Sequence, residues 1–265
     1  MPRYLTKSRF KLAVECPTKL FYTGKYTEYA DMQMDDPFLR ALADGGFQVG
    51  ELAKMMFPGG IEVIARTHDA QVAETRELLA RDEVTIFEAA IHDGDFFARI
   101  DILRKSGNRI ELIEVKAKSF DSTKTTDFRQ QKGGIAAAWL PYLQDVAFQT
   151  HVFRQAFPGL STSSFLMLAD KSKACTVDGL NQRFKISRVD GRPLVSISPG
   201  TDAGTIGAPI LSRICVDDAV AEILAGRLKA PGEEGPWAEN LARWADAYRQ
   251  DQKLGPTIGG HCAKC

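Results

Sequence analysis

The chain has 265 residues, 44% of them hydrophobic, with 34 Lys and Arg against 34 Asp and Glu. That size suits one large domain with a sizeable core, and the zero net charge excludes a globally basic nucleic-acid binder while leaving room for a local basic track. No apolar run reaches the roughly 18 residues of a membrane span, and Met1-Pro2-Arg3-Tyr4-Leu5-Thr6-Lys7 lacks the apolar stretch of a secretory signal, so a cytoplasmic location without a membrane partner is expected.

In chain order, the spacing predicts a helix over 6–15, capped by Thr6 or Ser8, with Phe10, Leu12, Ala13 and Val14 as apolar surface. It ends at Cys16-Pro17, because proline disfavours helical geometry in the residue before it. A second helix is predicted over 37–57, with Gly45-Gly46 as a candidate interruption and Pro58-Gly59-Gly60 as its end. A strand over 61–64, a helix over 69–79 and a strand over 84–91 follow, then a turn at His92-Asp93-Gly94-Asp95. Strands over 97–103 and 110–116 flank Lys105-Ser106-Gly107-Asn108 and form an antiparallel hairpin. Residues 119–134 read as a polar loop or short helix, 140–157 as a helix, and 163–169 and 184–189 as strands. A Gly-, Pro- and Ser-rich excursion covers 190–208, and helices are predicted over 216–228 and 237–252. The expected fold class is α/β, a single domain over 1–265 with a central mixed β-sheet flanked by helices.

The hairpin carries the chemistry. Side chains alternate along a strand, so Glu114 and Lys116 share a face, with Ile113, Val115 and Ala117 on the other. On its partner, Asp101 shares a face with Arg99, and Ile100 and Ile102 go to the apolar side. Two carboxylates can hold a divalent cation, and a nearby amine can orient or activate a water. Leu112, Ile113 and Val115 make the second strand mostly buried, where an ionised Glu114 is costly without a partner. Glu51, four residues from both Phe47 and Met55, lies in line with apolar side chains as a candidate third carboxylate. Gln149 shares a helical face with Phe153, where it could bond a phosphate, a base or a water, and His151 reads as a structural histidine. Basic residues crowd two segments, Arg3, Lys7, Arg9, Lys11, Lys19 and Lys25, then Lys116, Lys118, Lys124, Arg129 and Lys132.

Together, the helix bearing Glu51, Asp101, the Glu114-Val115-Lys116 triplet and Gln149-x-x-x-Phe153 resemble the RecB-like branch of the PD-(D/E)XK nucleases over most of the chain. Two positions depart from that pattern: the family's first-motif histidine has no counterpart unless Glu51 fills its role, and Phe153 stands where the family has tyrosine. The resemblance implies a restriction-endonuclease-like fold and a Mg2+- or Mn2+-dependent DNA nuclease, an exonuclease acting on single strands or ends. Asp101, Glu114 and the Val115 carbonyl would then bind the metal, Lys116 would position or deprotonate the attacking water, and Gln149 would orient lysine, water or substrate. Lys7, Arg9, Lys118 and Arg129 would contact the nucleic-acid backbone. The alternative is a catalytically silent nucleic-acid-binding scaffold of the same fold, partnering a helicase or nuclease.

Five cysteines, an odd number, do not form a disulfide framework. The segment from Lys7-Ser8-Arg9-Phe10 to Cys16-Pro17-Thr18-Lys19-Leu20-Phe21, and Gly260-His261-Cys262-Ala263-Lys264-Cys265, are similar to the cysteine segments of a subset of that family, the CRISPR-adaptation and AddB-type nucleases. This resemblance implies a [4Fe-4S] cluster on Cys16, Cys262 and Cys265. A fourth ligand is expected beyond Cys265, in a chain truncated there, and Cys175 and Cys215 are expected to be buried structural thiols. A Zn2+ site from Cys16, His261, Cys262 and Cys265 is the competing reading. Either would staple the two chain ends together.

Overall fold

The computed structural model describes residues 3–29, 37–124, 128–189 and 192–264. Cys265, residues 125–127 of the polar segment and residues 190–191 of the expected excursion lie outside them. Strand β1 (Leu5–Thr6) leads into helix α1 (Lys7–Glu15), whose N-cap hydroxyl on Thr6 accepts the Arg9 N–H at 3.4 Å. The short α2 (Lys19–Tyr22) follows Pro17, and α3 (Pro37–Met55) runs through Gly45-Gly46 without a break. Each helical glycine costs about 1 kcal/mol relative to alanine, which α3 offsets by burying Leu52 and Ala53 against the sheet.

Next come β2 (Ile61–Glu62), α4 (His68–Leu79), β3 (Glu83–Asp93), β4 (Phe96–Ser106), β5 (Arg109–Phe120), α5 (Leu140–Ala156) and β6 (Ser161–Asp170). The chain finishes with β7 (Phe184–Val189), β8 (Arg192–Ile197), β9 (Leu211–Cys215), α6 (Asp217–Ala225), β10 (Arg227–Ala230), β11 (Glu233–Pro236) and α7 (Trp237–Arg249). Among the described residues, no helix is long and apolar enough to cross a membrane.

The fold is α/β. A mixed sheet runs in the order β2-β3-β4-β5-β6-β9, with β1 lying parallel to β4. The pairs β2–β3 and β5–β6 are also parallel, whereas β3–β4, β4–β5 and β6–β9 are antiparallel. One apolar cluster joins the sheet to α1, α4, α5, α6 and α7 and contains Phe10, Phe148, Trp237 and Trp244. The other, with Phe87, Ile102, Ile113 and Met167, lies under α3.

The β4–β5 hairpin forms as expected, with Gly107 at φ 55° supplying the left-handed backbone of its tight turn. Its ladder runs from Ser106↔Arg109 only to Ile102↔Ile113. Beyond that point β5 stays with β6, through Glu114↔Leu166 and Lys116↔Leu168, while β4 stays with β3 and β1. The two strands part at Asp101 and Glu114.

The expected alternation also breaks there. Ile100 and Leu103 belong to the first apolar cluster and Ile102 to the second, so Ile100 and Ile102 do not share a side. On β3, Ile86 and Ala89 fall in the first cluster and Phe87 in the second. The phase slip occurs at Glu88, which faces the Asp101 position and holds φ 56°, a sterically costly backbone for a residue with a Cβ.

Other departures arise where pairing, rather than local propensity, makes a strand. The 190–208 excursion contains β8, which pairs with β7 in a separate two-stranded sheet. The helix expected over 216–228 stops at Gly226, and Leu228 joins the β10–β11 hairpin, whose backbone carbonyl there accepts the Asn240 amide at 2.8 Å. β5 continues past Lys116 to Phe120, with an irregularity in its β6 pairing between Lys116 and Ser119.

Candidate active site

Where β4 and β5 part, a cleft of about 700 Å³ opens between the sheet, the start of α1 and one face of α3. Glu114 lies fully buried at its floor. Its carboxylate accepts Lys7 Nζ at 2.7 and 3.0 Å, Gln149 Nε2 at 2.7 Å and Lys116 Nζ. Burial alone would raise its pKa, but the Lys116 and Lys7 ammoniums hold it well below the usual carboxylate range.

Asp101 bridges the split in the sheet. Its Oδ2 accepts the Val115 N–H at 2.8 Å, replacing the backbone carbonyl that a continued β4–β5 ladder would supply, and its Oδ1 lies 3.8 Å from Lys7 Nζ. Its pKa is pushed up to about 7, first by burial and then by the Glu114 charge, against the opposing pull of Lys7 and Lys116. One carboxylate of the pair is thus firmly ionised and the other is poised near neutrality.

Lys116 reaches a third acid, Asp145 Oδ2, at 3.1 Å. Burial disfavours its ammonium, yet Glu114, Asp145 and Asp101 hold its pKa well above the usual lysine range, so it is charged at neutral pH. Asp145 is buried, with ion contacts to Lys116 and, at 3.8 Å, to Lys11, but among the described residues neither of its oxygens accepts a well-oriented hydrogen bond. Burial and then the Glu114 charge raise its pKa, with Lys116 opposing. Gln149 stands one helical turn beyond Asp145, its Nε2 also donating to the Asp145 carbonyl at 3.2 Å, while its buried Oε1 has no partner among the described residues. Three acids thus meet two inner lysines, with Lys11 reaching Asp145 from the rim at 3.8 Å.

The sequence-predicted residues divide. Asp101, Glu114, Lys116 and Gln149 come together as expected, and the strand presents Val115 beside them. Glu51 lines the same cleft from α3 but pairs with Lys54 at 2.8 Å, and Lys54 also reaches Glu62 at 2.7 Å. Among the described residues, no three His, Cys, Asp or Glu side chains converge closely enough to hold a metal ion. Glu88 also lines the cleft but pairs with Arg99 at 2.7 Å, so the oxygen donors beside Lys116 are the Asp101–Glu114 pair and main-chain carbonyls. Phe153 is packed in the core, stacked on Phe157 at 5.1 Å, where a tyrosine hydroxyl would need a buried partner.

The basic track is largely occupied internally. Lys7 points into the acid pair instead of outward toward a nucleic-acid backbone. Arg9 donates to the Tyr4 carbonyl at 3.0 Å and lies over the Tyr248 ring, Lys118 sits 4.8 Å from the Trp139 centroid, and Arg129 pairs with Glu222. Asp145, Glu88 and the inward role of Lys7 were missed by sequence reasoning. For Asp145 a signal existed, its i,i+4 spacing to Gln149.

Cys16 caps the C-terminus of α1, and the Cys262 thiol lies 3.6 Å from His261 Nε2. The two terminal segments meet: the Thr18 hydroxyl donates to the Leu254 carbonyl at 3.0 Å, and the Lys253 ammonium lies 5.0 Å from the Tyr22 centroid. Cys175 and Cys215 are exposed, contrary to expectation, because one sits in the loop after β6 and the other ends edge strand β9. No protein-family model matches the chain, and no curated protein matches it.

Proposed function

We propose that the cleft is the active site of a divalent-metal-dependent DNA nuclease with a restriction-endonuclease-like sheet, acting on single strands or ends. The observation that carries this proposal is the split of β4 from β5 at Asp101 and Glu114, which leaves a carboxylate pair and Lys116 together in an open cleft. Two carboxylates and the Val115 carbonyl are hard oxygen donors of the kind Mg2+ and Mn2+ take while keeping several waters. When bound, such an ion supplies charge at the scissile phosphate and a more acidic water.

The protein's own residues then have distinct tasks. Asp101 and Glu114 would hold the ion, and the Asp101 bond to the Val115 N–H fixes the β5 backbone between them. Lys116, an ammonium in the metal-free protein, would donate hydrogen bonds to the attacking water and to charge developing on the phosphate, and the water's proton would leave to solvent. Asp145 and Gln149 restrain Lys116 and Glu114 from α5. Cys16 and Cys262 are the described candidates for the [4Fe-4S] cluster, with Zn2+ as the alternative; visible absorption of the anaerobically purified chain, lost in Cys16→Ser, distinguishes iron-sulfur from zinc.

A second reading, a silent DNA-binding scaffold for a helicase or nuclease partner, is favoured by the saturation of Glu114 with three internal donors. Labelled single- and double-stranded DNA separates the two when incubated with wild type and Glu114→Gln in Mn2+, Mg2+ or EDTA. Cleavage by wild type alone, abolished by EDTA, supports the enzyme. DNA binding without cleavage in any metal supports the scaffold.

A further inference from the structure

Lys7 is anchored on both sides. Thr6 before it pairs with Phe97 and caps α1, and Phe10 after it is buried and stacks on Phe148 at 5.0 Å, next to Gln149. This scaffold delivers the Lys7 ammonium to both Glu114 oxygens, at 2.7 and 3.0 Å, and to 3.8 Å from Asp101 Oδ1. Lys116 reaches the same carboxylate from β5, but the two lysines differ in what else holds them. If Lys116 releases Glu114, it keeps the buried Asp145 at 3.1 Å. The other acid of Lys7 is Asp101, the second half of the pair. A cation entering between Asp101 and Glu114 therefore takes both close ion-pair partners of Lys7 and leaves Lys116 its contact with Asp145. Lys7 also lines the open cleft, and its flexible four-carbon stem gives the ammonium room to leave.

On the nuclease reading, we propose that Lys7 is a positioning residue that occupies the acid pair in the metal-free protein and competes with the divalent cation for it. An ammonium and a divalent cation repel each other and need the same Glu114 oxygens, so occupancy by one lowers affinity for the other. Lys7 thereby sets the cation concentration at which the site fills, while Lys116 keeps its place throughout.

The test measures binding of Mn2+ alone to the full chain, by calorimetry and by the electron-spin signal of free Mn2+, for wild type, Lys7→Met, Lys7→Arg and Glu114→Gln. Lys7→Met is expected to bind Mn2+ about tenfold more tightly than wild type, with Lys7→Arg restoring the wild-type value and Glu114→Gln losing the site. Equal or weaker binding by a folded Lys7→Met overturns the competition. A second measurement needs no variant: lysine acetylation of wild type, read by mass spectrometry with and without Mn2+. Lys7 is expected to label faster once Mn2+ binds, and Lys116 is not; unchanged or slower labelling of Lys7 in protein that has bound Mn2+ overturns the inference alone. A wild-type chain that binds no Mn2+ overturns the nuclease reading together with it.

Discussion

Replacing Asp101 by Asn should stabilise the protein while destroying its proposed activity. The asparagine carbonyl can still accept the Val115 N–H, now at 2.8 Å from Asp101 Oδ2, so the bridge across the split sheet survives. What disappears is a carboxyl group whose pKa is pushed from 3.8 in a free chain to about 7 in the fold. Between those values the native state binds the proton and the unfolded state does not, so the native state is favoured at low pH. That advantage is lost as pH rises through 7. Above that window, the shift of roughly three units amounts to at most about 4 kcal/mol of destabilisation in wild type. That shift already contains the opposing pull of Lys7, and partial exposure of the side chain reduces the gain in the variant to about 2 kcal/mol. For a chain of this size that is roughly 4–8 °C in melting temperature. The assay is calorimetric melting of wild type and variant in EDTA at pH 4 and pH 8. The expected result is a higher melting temperature for the variant at pH 8 and near-coincidence at pH 4. A variant no more stable than wild type at pH 8, or one whose gain persists unchanged at pH 4, refutes the placement of excess charge at Asp101.

Lys116→Met removes the ammonium that Glu114 and Asp145 share, so cleavage should fall by about 10²–10³. Stability should fall by about 3 kcal/mol in urea titrations, since two buried acids lose a partner. Gln149→Leu keeps the bulk but removes the 2.7 Å bond to Glu114, and should cost about 1–3 kcal/mol by the same titration. Gly60→Ala tests the packing away from the chemistry: its Cβ would meet the Phe87 ring at 2.2 Å, and about 2 kcal/mol of stability should be lost while cleavage per folded molecule is kept.

Much of this architecture was legible because it is local. Thr6 and Pro17 bracket α1 by capping and by proline sterics, and the apolar runs of β3, β4 and β5 show a period of two on either side of Gly107. The pairing of Glu114 with Lys116 follows from the same alternation. Alternation fails at Glu88, where a positive φ shifts the phase of β3, and opposite it on β4 at Asp101; backbone strain of that kind leaves no mark in residue type. β8, β10 and β11 are strands because of their partners, and the short, polar run Glu233–Pro236 carries no strand pattern of its own. Lys7 reads as one of several surface cations beside Arg9 and Lys11. Only the parallel seating of β1 on β4 turns it into the cleft. Glu51 illustrates the converse, since its line of apolar neighbours put it on the cleft wall but could not show that Lys54 would claim its carboxylate.

The most direct measurement is the fate of an end-labelled single-stranded DNA incubated with purified wild-type protein in Mn2+ and in EDTA, with Asp101→Asn run alongside. The expected outcome is shortening of the labelled strand by wild type in Mn2+ only, with the more stable Asp101→Asn inert. An intact strand with wild-type protein shown to be folded and Mn2+-loaded contradicts the assignment of the Asp101–Glu114 cleft as a nuclease centre.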